Sequence, residues 1–386
     1  MYITTSTGTV PYFSTFLRKS THMDRYKKAI ANAYDMYGDA QVPGRAIVNQ
    51  ILTPEIAPFY PDHPKWYFTA SGSSAFQAVL AAVSDPGETI HHPVWGWCAL
   101  PGVVMLTGRK LALYDIEKDS LDSWIDLDWL RKNHSSVKVL VIVHLWGNIH
   151  NLKEVRDIVG PDTIIIEDVA QCPSIGENME FETGKYSDFL IFSFGMFKTP
   201  GSIEEGGAMS FKDEKYAEFF EAYFSNGITR ELISNTEVMA PIDVGTKEYM
   251  SIAEAAAVKE DIAIMRENGT REQRTRNASA FYDALDRVSL ARAPNSSLTN
   301  NNIYFNCPMA GISKETHAKL WDANVQIREL PDFHNVYNGG PEANPWGSDY
   351  PDWRQEGVTI LPCHEYITDD QRDMICDILY QGGVAQ

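Results

Sequence analysis

Short apolar runs alternate with helical stretches between Trp66 and Phe211, and this alternation constrains the fold more than any other feature of the chain. Strands that alternate with short helices are typical of βαβ units and a mostly parallel sheet. Runs such as VLVIV and TIIIE are apolar on both faces, as in strands covered by helices on each side. The sequence therefore predicts an α/β fold whose strands lie at 66–70, 88–92, 110–115, 137–144, 163–168, 189–194 and 206–211.

Beyond Phe211 the pattern changes to helix periodicity and turn-rich sequence. SIAEAAAVKEDIAIM opens a long helical stretch over about 251–290, and RAPNSSLTNNN at 292–302 is rich in turn residues. A C-terminal lobe follows, with a strand near 303–307, helices near 313–323 and 368–381, and a loop at 331–353. We predict an N-terminal segment, a large domain, a connecting long helix and a small C-terminal α+β domain, at 1–25, 26–250, 251–290 and 291–386.

Composition excludes several classes of partner. The 33 basic against 52 acidic residues give a net charge of −19, the reverse of the basic surface that nucleic-acid binders need. No run reaches the roughly 18 apolar residues of a membrane span. The five cysteines are widely spaced and form no C-x-x-C pair, so we expect neither disulfides nor a zinc site, and a cytoplasmic location. Because the net charge is negative, an anionic ligand must be held by a local feature such as a helix N-terminus.

Two strand ends carry the strongest chemical signal. IIIEDVAQ ends in Asp168 and Gln171, and IFSFGMFK carries Ser193 and Lys198. Residues just past the carboxyl ends of strands in such a sheet face the ligand crevice. An amine beside an acid suits chemistry with pyridoxal phosphate, in which the lysine forms an imine and the acid keeps the pyridine nitrogen protonated. The competing interpretation is an acidic strand end and an ordinary surface lysine.

Two further segments would complete a cofactor site. FTASGSSAFQAVLAAV is predicted to form a strand, a turn and a helix start around Ser73, and free backbone N–H groups at a helix start bind anions such as phosphate. Alternatively, Ser73 is only an N-cap. In HHPVWGWCAL, Trp95 and Trp97 follow a strand. An indole there can stack on a cofactor ring or fill the core.

Taken in order, these segments resemble the DegT/DnrJ/EryC1/StrS family of pyridoxal phosphate-dependent sugar aminotransferases, a branch of the aspartate aminotransferase (fold type I) superfamily. SGSSAF at 71–76 is similar to the family's Ser-Gly-Thr-Ala-Ala-Leu turn, and VHLWGN at 143–148 to Val-His-Leu-Tyr-Gly-Gln. IIIEDVAQ resembles Ile-Glu-Asp-Ala-Ala-Gln, and SFGMFK with EGG at 205–207 resembles Ser-Phe-x-x-x-Lys followed by Glu-Gly-Gly. The resemblance covers nearly the whole chain.

The resemblance implies a role for each matching residue. Lys198 would be the Schiff-base lysine and proton shuttle, and Asp168 would pair with the pyridine nitrogen. Gln171 would contact the hydroxyl side of the ring, and Trp97 would cover one ring face. The phosphate would be held by Ser73, Ser74 and Ser193.

The chain departs from the family pattern after the lysine and before the long helix. Six residues, TPGSIE, separate Lys198 from Glu-Gly-Gly, one more than the usual spacing. GTKEYM at 245–250 stands in place of Gly-Tyr-Asn-x-Arg-Met, so Lys247 occupies the position from which an Asn of the partner subunit reaches the phosphate. The family therefore implies a homodimer with shared active sites and Lys247 as a phosphate ligand across the interface.

Three functions are compatible with these residues. The resemblance implies transfer of an amino group from an amino acid, glutamate in the first place, to a keto-sugar linked to a nucleotide. Some relatives instead remove a sugar hydroxyl, with a histidine in place of the lysine, so Lys198 disfavours a dehydratase. A non-catalytic regulator with the same fold is disfavoured because Asp168, Gln171, Ser193 and Lys198 are all present.

Overall fold

The structure is a computed structural model that describes most of the chain. It covers residues 9–11, 14–38, 44–94, 96–114, 116–117, 124–173, 175, 183–233, 236–241, 243–286, 306–309, 312–330 and 358–382. The segment at 292–302, the loop at 331–353 and Trp95 lie outside the described residues.

A seven-stranded sheet forms the centre of the larger part of the described chain, with one strand for each predicted apolar run. The strands are β1 (Lys65–Thr69), β2 (Thr89–Pro93), β3 (Lys110–Tyr114), β4 (Val139–Val143), β5 (Ile164–Asp168), β6 (Phe189–Ser193) and β7 (Gly207–Phe211). Their order is β1-β7-β6-β5-β4-β2-β3. β7 runs antiparallel to both of its neighbours, and the other neighbouring pairs are parallel. The predicted mixed, mostly parallel sheet is confirmed.

Helices cover both faces of the sheet, as the two-sided apolar strands require. In β6, Phe189 and Ile191 pack into the hydrophobic core on one face, whereas Leu190 and Phe192 pack into the core on the other. This is the period-two alternation of a strand buried on both sides. The helices of this part of the chain are α1 (Ser14–Thr21), α2 (Met23–Tyr37), α3 (Gly44–Ile56), α4 (Gly72–Val83), α5 (Ala99–Leu106), α6 (Leu127–Asn133), α7 (Lys153–Val159) and α8 (Ala217–Tyr223).

The predicted long helix over 251–290 is two helices, α9 (Ile252–Glu267) and α10 (Thr270–Asp286). Ser251 and Glu254 form a capping box at the start of α9. The break falls at Gly269, whose φ of 56° lies in the left-handed region that ends helices and that glycine adopts without strain. The prediction of one continuous helix was therefore wrong at this glycine.

A second, smaller unit contains the C-terminal elements. A three-stranded antiparallel sheet in the order β10-β12-β11 packs with two helices and with α10 around a third hydrophobic core. The predicted helices near 313–323 and 368–381 are confirmed, and the predicted strand begins at Asn306. The elements, with the hairpin β8–β9 that precedes α9, are β8 (Ile228–Ile233), β9 (Thr236–Pro241), β10 (Asn306–Met309), α11 (Lys314–Asp322), β11 (Arg328–Leu330), β12 (Val358–Pro362) and α12 (Asp369–Gln381).

Across the described ranges, every helix is too short or too polar to traverse a lipid bilayer.

Candidate active site

A cavity of about 430 Å³ opens at the carboxyl ends of the central strands. Val143, Asp168 and Ser193, the last residues of β4, β5 and β6, all line it. This is the edge at which open α/β sheets bind ligands, because the loops that follow the strands diverge there. The volume is in the range of small-molecule sites.

The start of α4 forms one end of the cavity. Ser71 is the N-cap, since its hydroxyl accepts a hydrogen bond from the Ser74 N–H at 3.1 Å. The Ser71 hydroxyl also pairs with that of Ser74 at 3.0 Å, and Ser74 does not line the cavity. Gly72 and Ser73 do line it. One interpretation of the sequence made Ser73 the cap, but the cap is Ser71. Ser73 lies in the first turn of α4, where the backbone N–H groups of a helix start can bind an anion.

A glycine brings Ser193 to the same end of the cavity. Gly207 in β7 pairs with Thr69 of β1 on one side and with Ser193 of β6 on the other. A Cβ at Gly207 would lie 2.3 Å from the carbonyl carbon of Ser71, so the turn and β7 touch backbone to backbone. The Glu-Gly-Gly sequence thus has a packing reason, since only glycine permits this approach.

Asp168 and Lys198 line the cavity together. Asp168 is 5% exposed, and its carboxylate accepts a hydrogen bond from the Ala170 N–H at 2.9 Å. Burial raises the pKa of Asp168, while that hydrogen bond and the electrostatic effects of Lys198 and His144 oppose the rise. Burial lowers the pKa of Lys198, against the attraction of Asp168 and Glu205. A lowered pKa makes the neutral, nucleophilic amine more accessible.

Gln171 also faces the cavity, with its side chain held in place. Its amide oxygen accepts the backbone N–H of Trp146 at 2.8 Å, so the side chain cannot swing freely. Trp146 has a φ of 60° and lines the cavity with its neighbour His144. A hydrogen bond therefore joins the loop after β4 to the loop after β5 at the cavity.

Trp97 lies at the cavity wall and is 48% exposed. An indole that is half exposed and borders a cavity is available to stack on a flat ligand, whereas a core indole would be buried. Trp97 therefore borders the cavity instead of filling the core, and its stacking on a cofactor ring stays a prediction.

Lys247, like Ser74, is a predicted site residue that does not line the cavity. Its side chain is exposed. The segment that carries it runs beside the end of β1, where the Ala70 N–H donates to the Glu248 carbonyl oxygen at 3.0 Å. The segment of Lys247 thus lies beside the turn that precedes α4.

Three lining residues with ionisable side chains had no role in the site predicted from the sequence: His144, Glu205 and Arg328. His144 directly follows β4, so the strand-end rule that found Asp168 would have found it. Its Nε2 lies 2.9 Å from the buried Glu167 carboxylate, and its Nδ1 accepts the His150 N–H at 3.2 Å. Arg328 comes from β11 in the second unit. No local sequence pattern predicts that a residue so far along the chain lines this cavity.

These residues fit pyridoxal phosphate. The helix start with Gly72 and Ser73, beside Ser193, suits the phosphate, and a buried carboxylate faces an amine with a lowered pKa. The exposed indole of Trp97 offers a flat surface for a ring. The chemistry of this donor set matches the cofactor at both of its ends.

Comparison with known proteins supports the same assignment. A 3-oxo-glucose-6-phosphate:glutamate aminotransferase of Bacillus subtilis (strain 168) is 28% identical over 152 residues, 39% of this chain and 33% of that protein. A GDP-4-keto-6-deoxy-D-mannose 3-dehydratase of Escherichia coli O55:H7 is 26% identical over 185 residues, 44% of this chain and 45% of that protein. The chain thus spans less than half the length of either curated relative.

The whole fold has counterparts among solved structures. The structure of NtdA from Bacillus subtilis with bound cofactor PMP has a TM-score of 0.74 and 19% identity, over 97% of this chain and 85% of that one. The predicted α/β architecture of fold type I transferases is therefore confirmed. Residues 60–380 match the sequence profile of the DegT/DnrJ/EryC1/StrS aminotransferase family, and the chain belongs to that family.

Proposed function

We propose that this protein is an aminotransferase that uses pyridoxal phosphate to move an amino group from L-glutamate to a nucleotide-linked keto-sugar. The observation that supports it best is the convergence of Lys198, Asp168 and Gln171 on one cavity whose far end is the start of α4. The family assignment and the B. subtilis relative, named as a 3-oxo-glucose-6-phosphate:glutamate aminotransferase, support a glutamate donor and a keto-sugar acceptor. The GDP-linked sugar in the name of the E. coli relative supports the nucleotide.

The cofactor, when bound, supplies an electron sink that stabilises negative charge at the substrate carbon. The residues of the chain would bind the cofactor and would hold or move the protons of the reaction. Asp168 would hold a proton on the ring nitrogen, because a positively charged ring nitrogen beside it would favour the ionised carboxylate that burial alone disfavours. Lys198, which lines the same cavity, would move a proton with its Nζ. Gly72, Ser73 and Ser193 would bind the phosphate, and Trp97 would cover one face of the ring.

A spectroscopic titration tests this function. The protein loaded with pyridoxal phosphate should absorb at the edge of the visible range, and L-glutamate should convert this band to that of the pyridoxamine form with release of 2-oxoglutarate. A panel of keto-sugar nucleotides should then restore the first band and yield an amino-sugar. The Lys198→Ala variant is the control, because it lacks the amine that binds the cofactor.

The same titration distinguishes the alternatives. A visible band that does not change on addition of glutamate, together with loss of a hydroxyl from a sugar nucleotide, would indicate a dehydratase like the E. coli relative. A protein with no band at all would be a regulator that keeps only the fold. Lys198 favours the aminotransferase.

The proposed assembly is a homodimer in which Lys247 of one subunit reaches the phosphate of the other. Two structural facts support it: Lys247 is exposed, and its segment borders the turn at Ser71. Because the net charge of the protein is −19, a lysine close to the phosphate would offset the repulsion of that anion. A single monomer mass in light scattering at micromolar concentration would contradict the shared site.

Lys247→Ala is expected to weaken cofactor retention by about 1–3 kcal/mol, the scale of a hydrogen bond to a charged group, without dissociating the dimer. The measurement is the dissociation constant of pyridoxal phosphate, followed by absorbance. Lys132→Ala, on the exposed last turn of α6, is the matched control. If both variants retain the cofactor equally, Lys247 has no role in holding it.

A further inference from the structure

The loop that carries Lys198 runs from Gly195 to Gly206, between β6 and β7, and is folded tightly on itself. The Lys198 N–H donates to the Gly195 carbonyl oxygen at 2.8 Å, and the Ser202 N–H donates to the Phe194 carbonyl oxygen at 2.7 Å. A Cβ at Gly201 would lie 2.7 Å from the Lys198 carbonyl oxygen, so the chain turns back directly over the lysine.

Two side chains from outside the sheet hold this loop on both sides of Lys198. The carboxylate of Asp261, on α9, accepts the Gly201 N–H at 2.8 Å. The ammonium of Lys19, on α1, donates to the Met196 carbonyl oxygen at 3.0 Å and to that of Ser202. The contacts therefore bracket the lysine, one before it and two after it.

Asp261 is itself fixed in a buried ionic group. Arg18 donates to both of its oxygens, at 2.6 and 3.0 Å, and the Tyr26 hydroxyl donates to one of them. Arg18 and Asp261 are both 0% exposed. A two-pronged contact between a guanidinium and a carboxylate fixes orientation as well as distance, so the Asp261 oxygen aimed at Gly201 has little freedom.

The same group extends to the second unit of the chain. Glu365, which follows β12, accepts from Arg18 and from Arg274 of α10, each at 2.7 Å. Arg274 also donates to the hydroxyl of Thr199, the residue next to Lys198, at 3.4 Å. The loop is thus held from α1, α9 and α10 together.

We propose that Lys19 and Asp261 are positioning residues for Lys198, which aim its amine by fixing the backbone of the loop on either side. The inference rests on the role proposed for Lys198. A lysine side chain has four rotatable bonds, so a reproducible position for its Nζ begins with a rigid backbone. Misplacement of a reacting group by about 1 Å can cost on the order of 10²-fold in rate.

A buried ionic group can also serve stability alone, and the experiment must separate the two roles. Asp188 offers a matched control, because it likewise accepts from an arginine, Arg156, at 2.7 Å and from a backbone N–H, that of Ile165, at 2.8 Å. It precedes β6, at the opposite end of the strand from the cavity. Asp188→Asn therefore removes the same kind of interaction away from the loop.

The experiment compares Asp261→Asn, Lys19→Met and Asp188→Asn, each loaded with pyridoxal phosphate, by cofactor dissociation constant, pH midpoint of the visible band and borohydride coupling to Lys198. Loss of a hydrogen bond to a charged group predicts about tenfold weaker binding in the first two variants. Their pH midpoints should shift, and coupling should fall. Lys19→Arg, which keeps a cationic donor, should recover most of the loss. Asp188→Asn should stay within about twofold of the wild type, even if its melting temperature falls.

Equal behaviour of all three variants would overturn the positioning role. If Asp261→Asn does not fold, Lys19→Met decides, since Lys19 is only partly buried and its loss leaves Arg18 and Asp261 paired. Failure of the proposed function has a different signature: a wild-type protein without a visible band, or a Lys198→Ala variant that keeps it.

Discussion

Replacing Lys198 by alanine is expected to abolish transamination and leave the fold intact. Burial lowers the pKa of this amine, and in the proposed mechanism its Nζ both attaches the cofactor and moves protons. Proton transfer by a positioned side chain alone contributes about 10²–10⁴-fold in rate, so the turnover number should fall by at least about 10³-fold. The measurement is amino transfer from glutamate, with the visible absorbance of the bound cofactor as a second readout.

Two controls accompany this variant. The loop around residue 198 is held by backbone hydrogen bonds and by Lys19 and Asp261, none of which needs the Lys198 side chain, so thermal unfolding should remain cooperative. Lys198→Arg keeps a positive charge that cannot be deprotonated, and it should be inactive as well. Undiminished turnover in either variant would remove Lys198 from the mechanism.

The sheet and its ligand edge were predictable from the sequence because both follow from local pattern. Strands buried on two faces are apolar throughout, as VLVIV at 139–143 shows, and a residue at a strand's carboxyl end faces the crevice whatever the fold's details. Asp168 and Ser193 close β5 and β6, and Gln171 and Lys198 follow within a few residues. The same rule, applied to β4, would have added His144.

What the sequence could not predict depends on contacts between distant segments or on single-residue geometry. Arg328 reaches the cavity from a strand of the second unit, and Asp261 reaches the Lys198 loop from a helix 60 residues further along the chain. The N-cap of α4 is Ser71 and not Ser73, because a helix start can be placed from the sequence only to within one or two residues. Gly269 divides a stretch whose helix periodicity continues on both sides.

Asp168→Asn is expected to lower the turnover number by about 10²–10³-fold, the usual cost of removing one preorganised electrostatic partner of a reacting group. A neutral amide cannot hold the ring-nitrogen proton as a carboxylate does, so the cofactor loses most of its capacity to accept electrons. The substitution is nearly isosteric, and the local geometry need not change, since the amide oxygen of the variant can still accept the Ala170 N–H that Asp168 accepts at 2.9 Å.

The stability of the cofactor-free protein should move in the opposite direction. Burial raises the folded-state pKa of Asp168, so the folded state binds its proton more tightly than the unfolded state does. Stability from this group is therefore present at low pH and is lost as the pH rises through the raised pKa, which leaves a buried carboxylate that opposes folding at neutral pH. The amide of the variant carries no such charge at any pH.

The two measurements on Asp168→Asn together identify the function of the carboxylate. Near neutral pH the cofactor-free variant should unfold at the same temperature as the wild type or at a higher one, and the difference should shrink as the pH is lowered. Turnover should fall over the whole pH range. A variant that loses stability and activity in parallel would make Asp168 a structural residue, whereas a stable but inactive variant, with cofactor bound, assigns its charge to the ring nitrogen.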